Sequence, residues 1–223
     1  MQAGNARYLS EKDFPETIPV FPLSGALLLP GGQIPLNIFE PRYLQMIEDA
    51  ICSDRLVGMV QPRFDAGTAD TDPPQLCEVG CVGRLTAFTE TGDGRYLITL
   101  HGICRYRLLG EKPGNKPYRM FRIAPFISDL KQDEGADQVD RAALLDTFRA
   151  YLEANDMEAD WDSVRRADND ILVNALSMMS PYGPAEKQAL LEAPDLKTRA
   201  ETLVAITEMH LAREAEDGTS VLQ

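Results

Sequence analysis

Apolar residues in this 223-residue chain change their spacing once, near residue 129, and this change constrains the fold more than any other feature. Before it, short apolar segments alternate with polar residues and end at turns rich in Gly and Pro, which is typical of strands. After it, apolar residues recur every three or four positions, which is typical of helices. We therefore expect an α+β protein with a β-rich N-terminal part and a helical C-terminal part.

The N-terminal part is predicted to be a series of strands joined by short turns. Residues 18–23 carry two prolines, which cannot donate ladder hydrogen bonds, so this strand is expected at a sheet edge. The Gly-Asp-Gly turn at residues 92–94 predicts a hairpin before the longest strand, 96–109, where Gly102 favours a bulge. One helix is expected from Pro41. Sequential strands with short turns favour an antiparallel sheet curled into a partial barrel or a sandwich.

The C-terminal part is predicted to be a helical bundle. Helical spacing of apolar residues covers residues 139–152 and 161–182, and a short helix is expected from Pro184. Asp195 is placed to cap a last helix, because its carboxylate can accept the unpaired N–H groups of the first turn. The expected organisation is therefore a flexible N-terminus (1–17), a β-rich domain (18–128), a helical bundle (129–217) and a flexible tail (218–223). The loop at residues 64–74, rich in Asp, Gly, Thr and Pro, is expected to be mobile.

The net charge of −13 is unevenly shared along the chain. Residues 1–128 hold 14 acidic and 13 basic side chains, whereas residues 129–223 hold 21 acidic and 9 basic ones. An acidic half repels phosphate backbones, which argues against a nucleic-acid partner. No apolar segment approaches the length of about 18 residues that spans a bilayer, and no apolar segment follows the first residues as in a secretory signal. We expect a cytoplasmic protein that does not enter membranes.

Cysteine and histidine offer little chemistry. Cys77 and Cys81 would lie about 13 Å apart on one strand, too far for a disulfide or for one zinc ion, so buried thiols are expected. The two histidines, His101 and His210, fall in different parts of the chain. Phosphate-binding glycine loops and nucleophile elbows are absent from the sequence. We predict no catalytic residue, no cofactor and no metal.

Several segments, taken in order, resemble the Lon protease N-terminal domain family, and most closely its free-standing members. The segments that resemble the start of that family are IPVFPL (18–23), LPGG (29–32) and PLNIFEPRY (35–43). Those similar to its later strands and its helix-turn-helix are VGCVGRL (79–85), GICRYRL (102–108) and EKQALLEAPDLKTR (186–199). The resemblance spans residues 18–210 and implies a pseudo-barrel followed by a helical bundle.

The resemblance also implies a function. In the full-length protease this domain contacts substrates and helps assembly, and an ATPase module and a serine–lysine protease module follow it. The present sequence ends at Gln223 without either module, so we expect a non-enzymatic module that binds exposed or unfolded polypeptide segments. An adaptor for one folded partner, such as an ATPase or protease supplied in trans, is the alternative. A hydrolase with an unrecognised site remains a third possibility, and the oligomeric state is left open.

Three residues of the motif at 35–43 are candidates for contacting a peptide. Phe39 and Tyr43 lie four positions apart across the expected helix start and are predicted to pack together. Arg42 could clamp a peptide carbonyl or carboxylate, because a guanidinium offers a planar set of donors. It could equally pair with Glu40 or Glu48. Each of the three could also serve the fold alone.

Overall fold

A computed structural model describes residues 1–64, 73–131 and 135–220, with side chains described as far as residue 213. The loop expected to be mobile therefore lies mostly outside the described residues. The chain divides into two compact units. The first contains Met1–Gln132 and Pro181–Leu191, and the second contains Asp133–Ser180 and Glu192–Gln223. A single boundary near residue 129 does not reproduce this division, because the segment 181–191 belongs with the N-terminal unit.

Eight strands and two helices make up the first unit over the residues described. A two-stranded hairpin begins the chain, and six longer strands form one sheet. The helices are α1 (Pro41–Ile51) and α5 (Pro184–Glu192), and α1 starts with proline at its first turn, as the sequence predicts. The strands are β1 (Gln2–Ala3), β2 (Ala6–Arg7), β3 (Thr17–Pro22), β4 (Gln33–Ile38), β5 (Leu56–Val60), β6 (Val79–Glu90), β7 (Tyr96–Lys112) and β8 (Met120–Pro125).

Strand pairing closes on itself. The order along the sheet is β4-β7-β6-β5-β3-β8, and β7 also pairs with β8. Strands β7, β6, β5, β3 and β8 therefore form a closed circuit, and β4 is attached to the outside of that circuit. The seventeen-residue β7 makes this possible because its first half pairs with β4 and its second half pairs with β8.

Strand β3 is not the edge that its two prolines suggested. Its residues Thr17–Pro19 pair with β8, and Val20–Pro22 pair with β5. Each half of β3 therefore pairs on one side only. The unpaired side needs no backbone donor, so Pro19 and Pro22 are tolerated although the strand lies inside the sheet. The β3–β5 pair is parallel, so the sheet is mixed and not wholly antiparallel as expected.

Tyr106 fills the interior of the strand circuit. Its side chain is fully buried, and its hydroxyl donates to the Met59 carbonyl oxygen at 3.2 Å. The ring lies against two glycines of neighbouring strands: a Cβ at Gly58 would lie 2.7 Å from the Tyr106 hydroxyl oxygen, and one at Gly80 would lie 2.6 Å from it. Glycine at these positions therefore makes room for the largest buried side chain of the core.

The bulge predicted at Gly102 is present. The β6–β7 register shifts between Val82 and Gly83, whose partners are Cys104 and Gly102, so Ile103 has no direct partner. The buried loop that contains Leu28 and Leu29 crosses β7 here, and a Cβ at Gly102 would overlap the Leu29 carbonyl group. The glycine thus serves both the bulge and the close approach of the loop.

A buried ion pair joins β7 to the segment after β8. The Arg105 guanidinium bonds to both carboxylate oxygens of Asp129 at 2.8 Å, and both side chains are less than a tenth exposed. Arg105 also donates to the Leu191 carbonyl oxygen at the end of α5. Arg107, two residues further along β7, pairs with Glu78 at 3.4 Å.

Polar side chains hold α5 within the first unit. The buried Gln61 amide donates to Pro184 O at 2.9 Å and to Gln188 Oε1 at 3.1 Å. Gln188 donates to Val79 O, and Lys187 Nζ donates to Gly25 O at 2.8 Å. These bonds satisfy buried amides that would otherwise be costly, so α5 is fixed by specific donors and acceptors as well as by apolar contact.

The second unit contains four α-helices over the residues described. They are α2 (Arg141–Ala154), α3 (Trp161–Arg166), α4 (Asn169–Met179) and α6 (Leu196–Ser220), and both α2 and α4 contact α6. The helix expected at 161–182 is thus two helices, interrupted at Ala167, whose backbone is extended. Asp195 accepts from the Thr198 N–H at 2.7 Å, which confirms the predicted cap.

Residues 1–17, expected to be flexible, have defined structure, and the expected tail, 218–223, lies partly outside the described residues. Residues 1–17 form the β1–β2 hairpin and a short 3-10 helix, Glu11–Asp13, and Ala3 and Tyr8 join the buried core. The Arg84 guanidinium donates to the Tyr8 hydroxyl at 2.9 Å, which ties this hairpin to β6. At the other end, α6 continues to Ser220.

We predict that Gly80→Ala lowers the free energy of unfolding by about 1–3 kcal/mol, because the added methyl group overpacks the Tyr106 site and presses on the Met59 carbonyl. Gly114→Ala is the matched control, since nothing lies within 4 Å of a Cβ there, and a change within about 0.5 kcal/mol is expected. Urea unfolding at neutral pH measures both. Equal effects of the two substitutions would contradict the tight packing around Tyr106.

Candidate functional site

The three residues expected to contact a peptide differ in burial. Tyr43 is buried on α1, and its ring packs edge-on against Phe21 with the ring centres 4.6 Å apart. Phe39 is 61% exposed, where the chain passes from β4 to α1. The Arg95 guanidinium lies 6.0 Å from the Phe39 ring centre. Tyr43 therefore packs on Phe21, and Phe39 faces solvent.

Arg42 lies between an acid and an aromatic ring. Its guanidinium bonds to the Glu40 carboxylate at 2.8 Å and lies 4.6 Å from the centre of the Tyr43 ring. The side chain is nearly half exposed, so donors of the guanidinium remain accessible to solvent. Of the two acids considered for Arg42, the structure pairs it with Glu40. Glu48 instead accepts from the Tyr96 hydroxyl at 2.7 Å.

Exposed apolar side chains gather where the β6–β7 hairpin ends. Phe88 and Tyr96 pack edge-on with ring centres 4.8 Å apart, and both are accessible. Tyr96 pairs in register with Ile38, the residue before Phe39. Leu97, 49% exposed, lies on the opposite face of the hairpin. We call Phe39, Phe88, Tyr96 and Leu97 the hairpin-end surface.

The turn that forms this hairpin explains its geometry. Gly92 and Gly94 both have φ of +82°, which favours glycine strongly. The Thr91 N–H donates to the Arg95 carbonyl oxygen at 3.1 Å and closes the turn. The sequence predicts this turn, but no motif in it marks Phe88 or Leu97. Large apolar residues within a few positions of an exposed turn were the available signal, because a turn leaves few neighbours to cover them.

A second candidate is a cleft of about 380 Å³ beside the C-terminal end of α1. Its apolar base includes Ile18 and Leu56, and its rim carries Asp49, Lys116 and Tyr118. The Tyr118 hydroxyl donates to Asp49 Oδ2 at 2.5 Å, and Lys116 Nζ donates to the same oxygen at 2.9 Å. The bond from Tyr118, followed by that from Lys116, lowers the pKa of Asp49 to about 2.

Two further titratable groups, both in β7, are shielded from solvent. Burial lowers the pKa of His101, which sits in β7 opposite Gln33, and burial raises the pKa of the Cys104 thiol. Cys77 and Cys81 are buried thiols, as predicted. Among the residues described, His, Cys, Asp and Glu form no group of three or more that could hold a metal ion. None of the helices searched is long and apolar enough to cross a membrane.

Comparison with known proteins identifies a family. The model of the ATP-dependent protease La (LON) substrate-binding domain matches residues 17–208. Lon protease 2 of Sorangium cellulosum is 27% identical over 222 residues, which cover 93% of this chain and 27% of that protein. Lon protease of Parabacteroides distasonis is 30% identical over 86% of this chain and 24% of its own length. The chain spans about a quarter of the length of these relatives.

Solved structures share the fold. The Lon N-terminal domain protein from Xanthomonas campestris superposes with a TM-score of 0.60 at 21% identity, covering 85% of this chain and 97% of its own. The N-terminal domain of Mycobacterium avium complex Lon protease gives 0.62 at 18% identity, covering 87% and 99%. The resemblance read from the sequence motifs is thereby confirmed.

We predict that Asp49→Asn destabilises the protein at pH 6 and that the difference from wild type shrinks below about pH 4. The lowered pKa means that the folded state prefers the carboxylate, so its stabilisation is complete above the unfolded pKa of about 3.9 and is lost as the pH falls toward 2. Urea unfolding at pH 6 and at pH 2.5 measures this. Tyr118→Phe should reduce the same pH dependence, and a difference that does not vary with pH would contradict the role assigned to Asp49.

Proposed function

The chain belongs to the family of ATP-dependent protease La (Lon) substrate-binding domains, and from this premise we propose that it binds exposed apolar segments of other polypeptides without catalysing a reaction. The hairpin-end surface is the observation that carries the proposal. Three aromatic rings and a leucine are accessible to solvent at or beside the end of this hairpin, with Leu97 on the opposite face from Phe88 and Tyr96, and exposed apolar patches commonly mark interaction sites.

The composition of this surface favours transient binding. Burying part of Phe39 and Phe88 contributes on the order of 2–4 kcal/mol before the costs of association are subtracted. A net affinity in the micromolar range or weaker follows, since a micromolar Kd already requires about 8 kcal/mol. Such affinity suits a module that samples many different segments and releases them.

Phe39, Arg42 and Tyr43 have different roles in this proposal. Phe39 contacts the apolar side chains of the bound segment. Arg42, which keeps accessible donors beside Glu40, bonds to a backbone carbonyl or a carboxylate of that segment. Tyr43 is buried and positions Arg42 through the contact between its ring and the guanidinium.

A second candidate function is an adaptor for one folded partner. The observation in its favour lies on α4, where Ile171 and Met179 are 58% and 80% exposed and, with Ala175, follow helical spacing. An exposed apolar stripe of this kind is typical of a face that packs against another helix. Affinity capture from lysate separates the two candidates, because an adaptor yields one dominant partner whereas client binding yields a heterogeneous collection.

We predict that Phe39→Asp together with Phe88→Asp lowers photo-crosslinking to reduced, carboxymethylated α-lactalbumin by about tenfold, since charges replace the apolar contacts. Leu109→Asp is the control. Leu109 lies in β7 outside the hairpin-end surface, and its exposure of 56% is close to the 61% of Phe39. The control should leave crosslinking within about twofold of wild type. The proposal fails if wild type captures no more of this unfolded protein than of native albumin.

A further inference from the structure

Strand β4 has a free edge. It pairs with β7 over Gln33–Ile38, and no other strand of the described residues pairs with its second side. The other five strands of this sheet each pair with two neighbours in the closed circuit, although β6 beyond Leu85 pairs only with β7 and each half of β3 has one paired side. The edge is accessible, because Gln33, Pro35 and Asn37 are all exposed.

The direction of each backbone group on β4 follows from one hydrogen bond. The Gly102 N–H of β7 donates to the Gly32 carbonyl oxygen at 2.9 Å, so the Gly32 carbonyl points toward β7. Carbonyl directions alternate along an extended strand, and the β4–β7 register is unbroken. Ile34 and Leu36 therefore bond to β7, while the backbone groups of Gln33, Pro35 and Asn37 point to the open side.

Pro35 interrupts this open side. Proline lacks an N–H, so the edge offers donors at Gln33 and Asn37 but only a carbonyl between them. Proline on an edge strand discourages indiscriminate pairing with other edges. The donors at Gln33 and Asn37 on either side of Pro35 are still about 13 Å apart, which is the spacing of four residues in an extended backbone.

The apolar face beside this edge would favour particular side chains. Leu36 pairs with Ile98, which pairs with Phe88, so one apolar row crosses three strands up to the edge. A strand added to β4 would extend this row by one position beside Leu36. Its neighbouring positions would lie beside the exposed Pro35 and Asn37 side chains, where polar residues fit. The edge therefore matches a segment with alternating apolar and polar residues.

The position of Pro35 argues against a second copy of this chain as the occupant. In an antiparallel pairing of two β4 strands centred on Pro35, the two prolines would face each other and both central hydrogen bonds would be lost. A different segment that has no proline opposite Pro35 loses only one of these two hydrogen bonds, because its own N–H still donates to the Pro35 carbonyl oxygen.

We propose that β4 binds an extended client segment of alternating apolar and polar residues as an added strand, through the backbone groups of Gln33, Pro35 and Asn37. This inference rests on the proposed function and specifies how a client is bound: main-chain hydrogen bonds provide contact with any sequence, and the row ending at Leu36 selects for apolar side chains. The hairpin-end surface then contacts the part of the segment beyond β4.

Hydrogen exchange followed by NMR tests the proposal on the full chain. The probe is a peptide of about ten residues that alternates valine and threonine, with a twin that carries N-methyl groups on alternate amides. The unmethylated peptide should slow exchange of the Gln33 and Asn37 amides by about tenfold or more. The Ile34 and Leu36 amides, already bonded to β7, should change little. The twin methylated on the amides that face β4 should give no protection.

Substitution of the edge provides a second measurement. Pro35→Ala restores an amide donor and should tighten binding of the unmethylated peptide by about two- to tenfold, the value of one net hydrogen bond. Gln33→Ala is the matched control, because it changes a side chain on the outer face and leaves the backbone groups in place; binding should stay within about twofold.

Each other outcome overturns the inference in a distinguishable way. If both peptides bind equally, strand addition is wrong while client binding stands. If neither peptide nor the unfolded α-lactalbumin binds, the proposed function itself fails. If the Gln33 and Asn37 amides become protected with rising protein concentration and no peptide, the occupant is a second copy of the chain.

Discussion

The buried ion pair between Arg105 and Asp129 is the interaction on which most of the first unit depends. Arg105 lies in β7, the strand that takes part in the most pairings, and Asp129 lies in the turn after β8. The same guanidinium bonds to the carbonyl oxygen of Leu191, so one side chain joins the strand circuit, the turn and α5. Leaving either charge buried alone costs about 3–5 kcal/mol, which couples the placement of these three segments. Core packing around Tyr106 then fixes the strands from the inside.

Closure of the circuit also determines where a partner can be bound. Where a strand pairs on both sides, it offers no backbone groups to another chain. Among the described strands, β4 lies outside the circuit and has one unpaired side along its whole length. That strand leads directly into Phe39, and the hairpin that carries Phe88 pairs with the same β7. The apolar residues in solvent and the free backbone edge are thus neighbours because both belong to the first half of β7 and its partners.

Much of this fold could be predicted from the sequence because its signals are local. Pro41 suits the first turn of a helix, Gly102 permits a bulge, and Asp195 caps α6; each depends on residues a few positions away. The parallel β3–β5 pair could not be predicted, since alternation identifies a strand but not its partner. Alternation along β7 does not reveal that Arg105 is buried, because the segments that cover it, residues 126–130 and α5, come later in the chain. Of the candidate site, Phe39 was identified from a motif, whereas Phe88 and Leu97 had no motif to mark them.

The position of α5 in the sequence has a consequence for synthesis on the ribosome. Partners of Gln61 and Arg105 lie at residues 184–191, so the first unit lacks them until that segment emerges. Residues 133–180 of the second unit emerge earlier. At about 5–20 residues per second, the interval from Asp129 to Leu191 lasts several seconds. During this time the Gln61 amide lacks its acceptors on α5, so the nascent first unit is completed only after most of the second has been translated.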